Sequence, residues 1–168
     1  MKRTDIRRIV VLGLLMAIQV ILSRFLSINA WNVKIGFGFV PIVVAAILYG
    51  PIPAGITYAL SDMLGAILFP IGPYFPGFTL TAFLTGMIYG KFLYKKTSIP
   101  RIAGAVLVTQ LLLSLVVNSF WISILYSSPY TALLATRIVQ CGILGPVEFV
   151  VIGIITRSMT LYRRLAQA

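Results

Sequence analysis

The feature that most constrains this chain is the way its basic residues are grouped between long apolar runs. Of the 14 lysines and arginines, only Arg24, Lys34 and Arg137 lie outside three short segments. Basic residues concentrate on the cytoplasmic side of membrane proteins, so the three segments are predicted to share that side. Their members are Lys2, Arg3, Arg7, Arg8, then Lys91, Lys95, Lys96, Arg101, and finally Arg157, Arg163, Arg164.

The composition excludes an ordinary soluble domain. The mean hydropathy is +1.02, and 60% of the residues are hydrophobic while only 10% are charged. We therefore predict one integral membrane domain that covers residues 1–168 in the cell membrane. The basic start followed by Ile9 to Leu22 looks like a secretory signal, but no clear cleavage site follows, which favours a retained helix.

Missing residue types exclude much chemistry. The chain has no histidine, one cysteine and three acids, Asp5, Asp62 and Glu148. A Ser-His-Asp or Cys-His nucleophile and a histidine metal site are therefore impossible, and a carboxylate cation cage is not expected. No Gly-x4-Gly-Lys-Ser/Thr loop is present, so ATP hydrolysis by that route is excluded. We predict that the protein is not an enzyme and uses no cofactor.

Six apolar segments are candidates for membrane spans, each near the length of about 20 residues that a bilayer requires. Helices are expected, because backbone groups in lipid must be satisfied within the segment. An even number of spans places both termini in the cytoplasm. The fold class is thus predicted as an all-α membrane protein, a six-transmembrane-helix bundle. Its segments are Ile9–Leu26, Gly36–Tyr49, Ala54–Phe69, Phe78–Tyr94, Ile102–Leu125 and Ile138–Met159, leaving Ser27–Ile35, Pro70–Gly77 and Tyr126–Arg137 outside.

The predicted external segment around residues 69–78 combines helix-breaking residues with aromatic rings. Three prolines and two glycines prevent a helix, while four aromatic residues make the segment too apolar for a solvated loop. A stiff lid that stacks on a flat ligand explains both properties, and an interfacial aromatic belt is the alternative. The candidate ligand contacts here are Gly72, Tyr74, Phe75, Pro76 and Phe78.

The first predicted external segment offers another set of candidates. Trp31 and Asn32 can recognise a ring and its heteroatoms, and Lys34 can pair with a carboxylate. Phe37 lies between two glycines that have no βαβ context and hence no nucleotide-binding meaning. The alternative is an interfacial tryptophan with a snorkelling lysine.

Polar residues inside the predicted spans indicate a pocket that opens outward. Asp62, Asn118 and Glu148 are predicted to lie at similar depth, and Arg24 and Arg137 stand near the external ends of their spans. Ionisable groups at membrane depth are costly and by default functional. The alternative is hydrogen bonding between helices, worth only about 0.6 kcal/mol per contact.

Small residues on the first span suggest a docking surface. Gly13 and Ala17 are four residues apart and so lie on one helix face. Pairs with this spacing allow close helix approach, either within the bundle or to a partner protein.

The order of these motifs resembles the folate-specific S components of energy-coupling-factor transporters. The resemblance rests on residues 34–41, Tyr49-Gly50-Pro51, residues 61–65, residues 69–79 and residues 84–90. It implies a six-helix subunit that binds folate outside the cell and works with a membrane coupling subunit and two cytoplasmic ATPases. In that family an Ala-xxx-Ala pair contacts the coupling subunit, and Gly13 departs from the pattern while remaining small.

The resemblance suggests a role for each class of candidate. A buried acid, Asp62 or Glu148, would accept hydrogen bonds from the pterin, aromatic rings would sandwich the flat parts, and Arg24, Lys34 or Arg137 would attract the carboxylates. Two alternatives stay open. In the first, the chain is an S component for another vitamin such as riboflavin. In the second, it is a small membrane protein that interacts with lipids.

Overall fold

The computed structural model describes residues 3–30 and 33–165. Its helices are α1 Arg3–Arg24, α2 Phe39–Tyr49, α3 Pro51–Leu68, α4 Pro76–Leu93, α5 Ile99–Leu107, α6 Asn118–Tyr126 and α7 Tyr130–Leu165. A π-helical segment, Val108–Val117, joins α5 to α6, so that residues 99–126 form one continuous rod. The described part of the chain therefore contains six helical rods, and the predicted helical class is confirmed.

Proline and glycine determine several of the helix ends. Pro51 and Pro76 occupy the first turns of α3 and α4, where a missing backbone N–H costs nothing. Gly50 separates α2 from α3 with a φ of 87°, a conformation that favours glycine. The predicted break near residue 50 is thus a sharp turn between two helices.

A short β-hairpin follows α1 and was not predicted. Strands β1 Ser27–Ala30 and β2 Val33–Gly36 pair antiparallel, with Ser27 opposite Gly36. A side chain at Gly36 would lie 2.6 Å from the Ser27 side chain, so glycine is required for the two strands to meet there. Each strand has only four residues, too few for its sequence alone to indicate a β-strand.

The bundle has apolar residues on the outside and polar residues within. Large hydrophobic side chains such as Leu14, Ile67 and Val150 are exposed, whereas Gln110 and Glu148 are among the buried polar residues. This is the arrangement expected when lipid surrounds the protein and polar groups face the interior of the bundle. An apolar core is formed at one end by α2, α5, the start of α3, the end of α4 and the later part of α7.

Four of the described helices are long and apolar enough to cross a membrane, namely Asp5–Arg24, Pro51–Leu68, Ile99–Tyr126 and Tyr130–Met159. Helix α2 has 11 residues, or about 16 Å at 1.5 Å per residue, against roughly 30 Å of hydrocarbon. By its length α2 does not cross alone. The crossing of six segments and the cytoplasmic position of the termini stay predictions.

One predicted external segment is wrong in extent. Residues 126–137 were expected outside the helices, but α7 begins at Tyr130 and only residues 127–129 connect it to α6. Ser127 makes the turn in the left-handed conformation at φ 50°. Polar residues such as Thr131 and Arg137 suggested a loop, yet nothing after Pro129 prevents helix formation until Pro146, which α7 accommodates.

Candidate ligand-binding site

A cavity of about 390 Å³ lies between α1, the hairpin, α3, α4, the 99–126 rod and α7. This volume lies within the range of small-molecule sites in proteins, about 300–1,000 Å³. Residues 71–75 of the loop between α3 and α4 also line it. The cavity therefore extends from an exposed mouth, near the hairpin and this loop, into the buried part of the bundle.

The deep end of the cavity is organised around a buried carboxylate. Glu148 is 7% exposed, and its Oε2 accepts a hydrogen bond of 3.0 Å from the hydroxyl of Tyr89, which is 1% exposed. The Gln110 side chain lies beside this carboxylate. Glu148 lies eight residues beyond Gln140, or about 12 Å along α7 from the hairpin contact.

Buried amide oxygens add further acceptors to the wall. The side-chain nitrogen of Gln140 donates to the backbone oxygen of Lys34 at 2.8 Å, which leaves the Gln140 Oε1 facing other groups. The Oε1 of Gln110 and the Oδ1 of Asn118 are buried in the same way, and none of these three oxygens has a hydrogen-bond partner among the described residues. A buried acceptor without a partner is costly, so a ligand that donates hydrogen bonds would satisfy this wall.

The π-helical segment explains how one rod keeps many residues on the cavity. The residues involved recur at every fourth position: Gln110, Ser114, Asn118, Ile122 and Tyr126. In an α-helix four residues advance the face by about 40°. In a π-helix of about 4.4 residues per turn they lag by about 30°. The two rotations have opposite sign and partly cancel. The five side chains at every fourth position, from Gln110 to Tyr126, therefore all face the cavity.

The mouth carries positive charge. Arg24 and Lys34 both line it, and the Arg24 Nη2 lies 3.9 Å from the Asp62 Oδ1. Lys34 is an exposed residue of β2, yet the pKa of its ammonium is lowered to about 8, first by desolvation and then by the Arg24 charge, while Asp62 opposes this shift.

The loop of residues 69–75, here called the aromatic loop, is anchored at both ends by ring contacts. Phe69 packs edge-on against Phe25 of α1 at 5.1 Å between ring centroids. At the other end the Phe75 ring lies 5.5 Å from that of Trp121 on α6. A side chain at Gly72 would lie 3.2 Å from the Tyr126 hydroxyl, so the middle of the loop also approaches α6.

The structure brings most of the sequence candidates to this one cavity. Those that line it are Arg24, Lys34, Asp62, Gly72, Tyr74, Phe75, Phe78, Asn118, Arg137 and Glu148. Phe37 and Pro76 do not, since Phe37 is 50% exposed beside Phe39 and Pro76 begins α4 at the surface. Trp31 and Asn32 lie outside the described residues.

The position of Arg137 differs from the expected external one. It is 6% exposed within α7, and its Nη2 donates to the backbone oxygen of Ser114 at 3.0 Å. Arg137 thus joins α7 to the π-helical segment while it lines the cavity. Its positive charge is held inside the bundle rather than in an external loop.

Sequence reasoning missed several wall residues. They are Gln19, Ser23, Tyr58, Thr81, Thr85, Tyr89, Thr109 and Ser114. Many continue a four-residue polar spacing within an apolar helix, as do Thr81, Thr85 and Tyr89 on α4. This repeat is visible in the sequence and would have identified one helix face as polar. Gln110 and Gln140 also line the cavity.

Comparisons with known proteins agree with this architecture. The family described as "ECF transporter, substrate-specific component" matches residues 7–156. The chain is 39% identical over 153 residues to the folate transporter FolT of Clostridium novyi (strain NT), which covers 90% of this chain and 88% of that protein. It is 31% identical to the folate transporter FolT of Leuconostoc mesenteroides subsp. mesenteroides, covering 87% and 82%.

Solved structures show the same fold. A crystal structure of FolT bound with folic acid superimposes with a TM-score of 0.86 at 35% identity, covering 89% of this chain and 92% of that one. The S component of a bacterial ECF transporter gives a TM-score of 0.66 at 24% identity, with 97% of both chains covered, and shows the fold alone. The family match and the relatives together lead to one conclusion: this chain belongs to the substrate-specific components of energy-coupling-factor (ECF) transporters.

Proposed function

We propose that this chain is the folate-binding subunit of an ECF vitamin transporter in the cell membrane, captures folate outside the cell and performs no catalysis itself. The observation that carries the proposal is a cavity with acceptors at its deep end and cations at its mouth. The similarity to the FolT proteins supports the choice of ligand. In this family such a subunit works with a membrane coupling subunit and two cytoplasmic ATPases.

The deep end suits the pterin of folate. A pterin carries an amino group and a ring N–H, both donors, on one edge of a flat ring. The Glu148 carboxylate and the Gln110 Oε1 are acceptors that lie near each other in the buried part of the wall. Charge-assisted hydrogen bonds to a carboxylate are the stronger kind. We therefore propose Glu148 as the residue that reads the pterin edge.

The mouth suits the glutamate tail of folate, which carries two carboxylates. Arg24 and Lys34 place positive charge there, and the aromatic loop places Tyr74 and Phe75 along the path between the two ends. The same charges disfavour a cationic vitamin such as thiamine. An exposed mouth also leaves the tail in contact with water, so it requires no full desolvation.

Spectroscopy and calorimetry test the ligand assignment. Protein purified in detergent from cells supplied with folate should show the absorbance of a bound pterin. Calorimetry should then give tight binding of folate, weaker binding of pteroate, which lacks the glutamate tail, and none of thiamine. A bound flavin, or folate binding no tighter than thiamine, would reject the assignment.

The partner assignment concerns a different surface. Gly13 and Ala17 are exposed on α1, and a side chain at Gly13 would meet nothing within 4 Å. We propose this open face as the contact with the coupling subunit. Gly13→Leu and Ala17→Leu should leave folate binding intact while abolishing uptake by cells. Normal uptake at wild-type expression would reject this face as the contact.

A further inference from the structure

A chain of polar contacts connects the aromatic loop to the end of α1. The Tyr74 hydroxyl lies 3.3 Å from the Thr79 Oγ1, and Thr79 donates to the Asp62 Oδ2 at 3.0 Å. The other carboxylate oxygen of Asp62 faces Arg24 at 3.9 Å. These four residues belong to the loop, α4, α3 and α1, so the chain joins four separate parts of the molecule.

The donor in each hydrogen bond between Tyr74, Thr79 and Asp62 follows from the number of hydroxyl hydrogens available. A threonine hydroxyl has one hydrogen, and in Thr79 that hydrogen points to the Asp62 carboxylate. The contact between Tyr74 and Thr79 therefore has Tyr74 as its donor. Hydrogen bonds arranged in one direction polarise and strengthen one another. The negative charge of Asp62 thus orients the Tyr74 hydroxyl through Thr79.

Arg24 is held in place independently of this chain. A side chain at Gly65 would lie 2.9 Å from the Arg24 Nε, so the guanidinium lies directly on the α3 backbone. Its Nη2 also donates to the backbone oxygen of Asp62 at 3.4 Å. The series of polar contacts from Tyr74 to Arg24 therefore begins in the exposed loop, which can move, and ends at the packed junction of α1 with α3, which is fixed.

We propose that Thr79, which does not line the cavity, is a positioning residue that holds Tyr74 and the aromatic loop over the site. Tyr74 is 43% exposed and belongs to a loop without helical hydrogen bonds at that point. The ring contacts of Phe69 and Phe75 restrain the two ends of the loop. Thr79 restrains Tyr74, which lines the cavity beside Phe75. The part of the proposal that concerns ligand release rests on the proposed folate function.

The first test needs no ligand. The chain has two tryptophans, so Trp31→Phe leaves Trp121, on which Phe75 packs, as the only fluorescent indole. In this background Thr79→Val should increase quenching of Trp121 by acrylamide, because the released loop uncovers the ring. Thr79→Ser keeps the hydroxyl and should restore the original quenching. Equal quenching in all three proteins would overturn the proposal, whatever the ligand is.

The second test measures how fast folate leaves, in the protein with both tryptophans. Thr79→Val should speed dissociation roughly 10-fold, as expected for the loss of a charge-assisted hydrogen bond, with little change in the association rate. Tyr74→Phe should have a smaller effect, and the double variant should match Thr79→Val alone because both act through one chain. Additive effects, or no recovery with Thr79→Ser, would overturn the positioning role. Failure of the wild-type protein to bind folate would instead reject the proposed function, and the quenching result would still decide on Thr79.

Discussion

The two sides of the bundle are built differently. Helices α3 and α4 meet through glycine, since a side chain at Gly86 would lie 2.6 Å from the backbone oxygen of Ala54. Helix α7 has three glycines, Gly142, Gly145 and Gly153, at which an added side chain would meet nothing within 4 Å. It contributes polar contacts instead, through Gln140 and Glu148. Helices α3 and α4 form a close-packed scaffold at their glycines, whereas α7 is packed more openly around its glycines.

This difference indicates which residues tolerate substitution. Where backbones touch, a single methyl group requires whole helices to shift, whereas a polar side chain can be replaced without moving a helix. We therefore expect substitutions of the glycines at which α3 and α4 touch to affect folding, and substitutions of the cavity-lining polar residues, such as those of α7, to affect binding.

Gly90→Ala should prevent recovery of folded protein. A side chain at this position would overlap the backbone of Pro51, which cannot rotate away as a side chain can. Overpacking costs about 1–3 kcal/mol and more where backbone must move. The measurement is thermal unfolding and gel filtration in detergent. Gly153→Ala is the control, because alanine is a better helix former and that site is open. Equal stability of the two variants would refute the close-packed scaffold.

Glu148→Gln should weaken folate binding about 100-fold or more while the fold is kept. The amide presents a donor where the pterin also donates, and two charge-assisted hydrogen bonds are lost. Calorimetry measures the affinity, and Ile154→Ala, an exposed residue of the same helix, is the control. A loss of less than fivefold would remove Glu148 from the ligand and leave it as a partner of Tyr89.

Asp62→Asn should weaken binding by roughly 10-fold, less than the Glu148 variant. The carboxylate is 24% exposed and is already engaged by Arg24 and Thr79, so its effect on the ligand is through the aromatic loop. Stopped-flow measurements should place most of the loss in the dissociation rate. An unchanged dissociation rate with slower association would contradict this account and would favour direct reading of the pterin by Asp62.

Lys34→Ala should weaken binding only about two- to fivefold, because an exposed ion pair is worth little. The effect should diminish with added salt, which screens charges at the mouth but not at the deep end. Titrations at low and high ionic strength with wild type, Lys34→Ala and Lys34→Arg measure it. If the loss is independent of salt, Lys34 does not act by long-range attraction.

The smallest expected effect is on pH dependence. The pKa of Lys34 is lowered to about 8, so its charge is present below that pH and lost above it. Attraction of an anionic tail should therefore weaken between pH 7 and 9. Lys34→Arg keeps its charge and should show less decline, while any titration of the ligand affects both proteins equally. Parallel slopes for the two proteins would exclude a contribution from Lys34.

Much of this architecture was predictable because membrane sequences carry strong local signals. Apolar runs, the Gly50-Pro51 break and the prolines near residue 76 predicted α2, α3, α4 and the rod of residues 99–126 within three residues of their observed ends. Helix α1 begins six residues, and α7 eight residues, earlier than predicted. The hairpin was not predictable, since its strands are stabilised by each other and by Gln140, which lies more than 100 residues away. The early start of α7 was missed because polar residues in its first turns resembled a loop.

The candidate site shows the same division. Ionisable residues in apolar segments identified Asp62 and Glu148 as unusual, because an ionisable group at membrane depth is costly. Their partners did not follow from the sequence. That Glu148 meets Tyr89, while Asp62 meets Thr79 and Arg24, depends on the angles at which helices pack. The π-helical segment, which keeps Gln110 and Asn118 on one face, also became visible only in three dimensions.

The composition and charge pattern were enough to predict a helical membrane bundle with polar groups inside and cationic segments near the ends of its helices. The insertion of apolar segments into a membrane and the side on which basic segments lie depend on the local sequence. They do not depend on how the helices pack against one another. The packing of the helices was needed to show which acid lies at the deep end, which acid contacts the aromatic loop through Thr79, and which glycines lie against a neighbouring backbone. Those outcomes depend on distances of a few ångströms between helices, which result from the packing of many side chains at once.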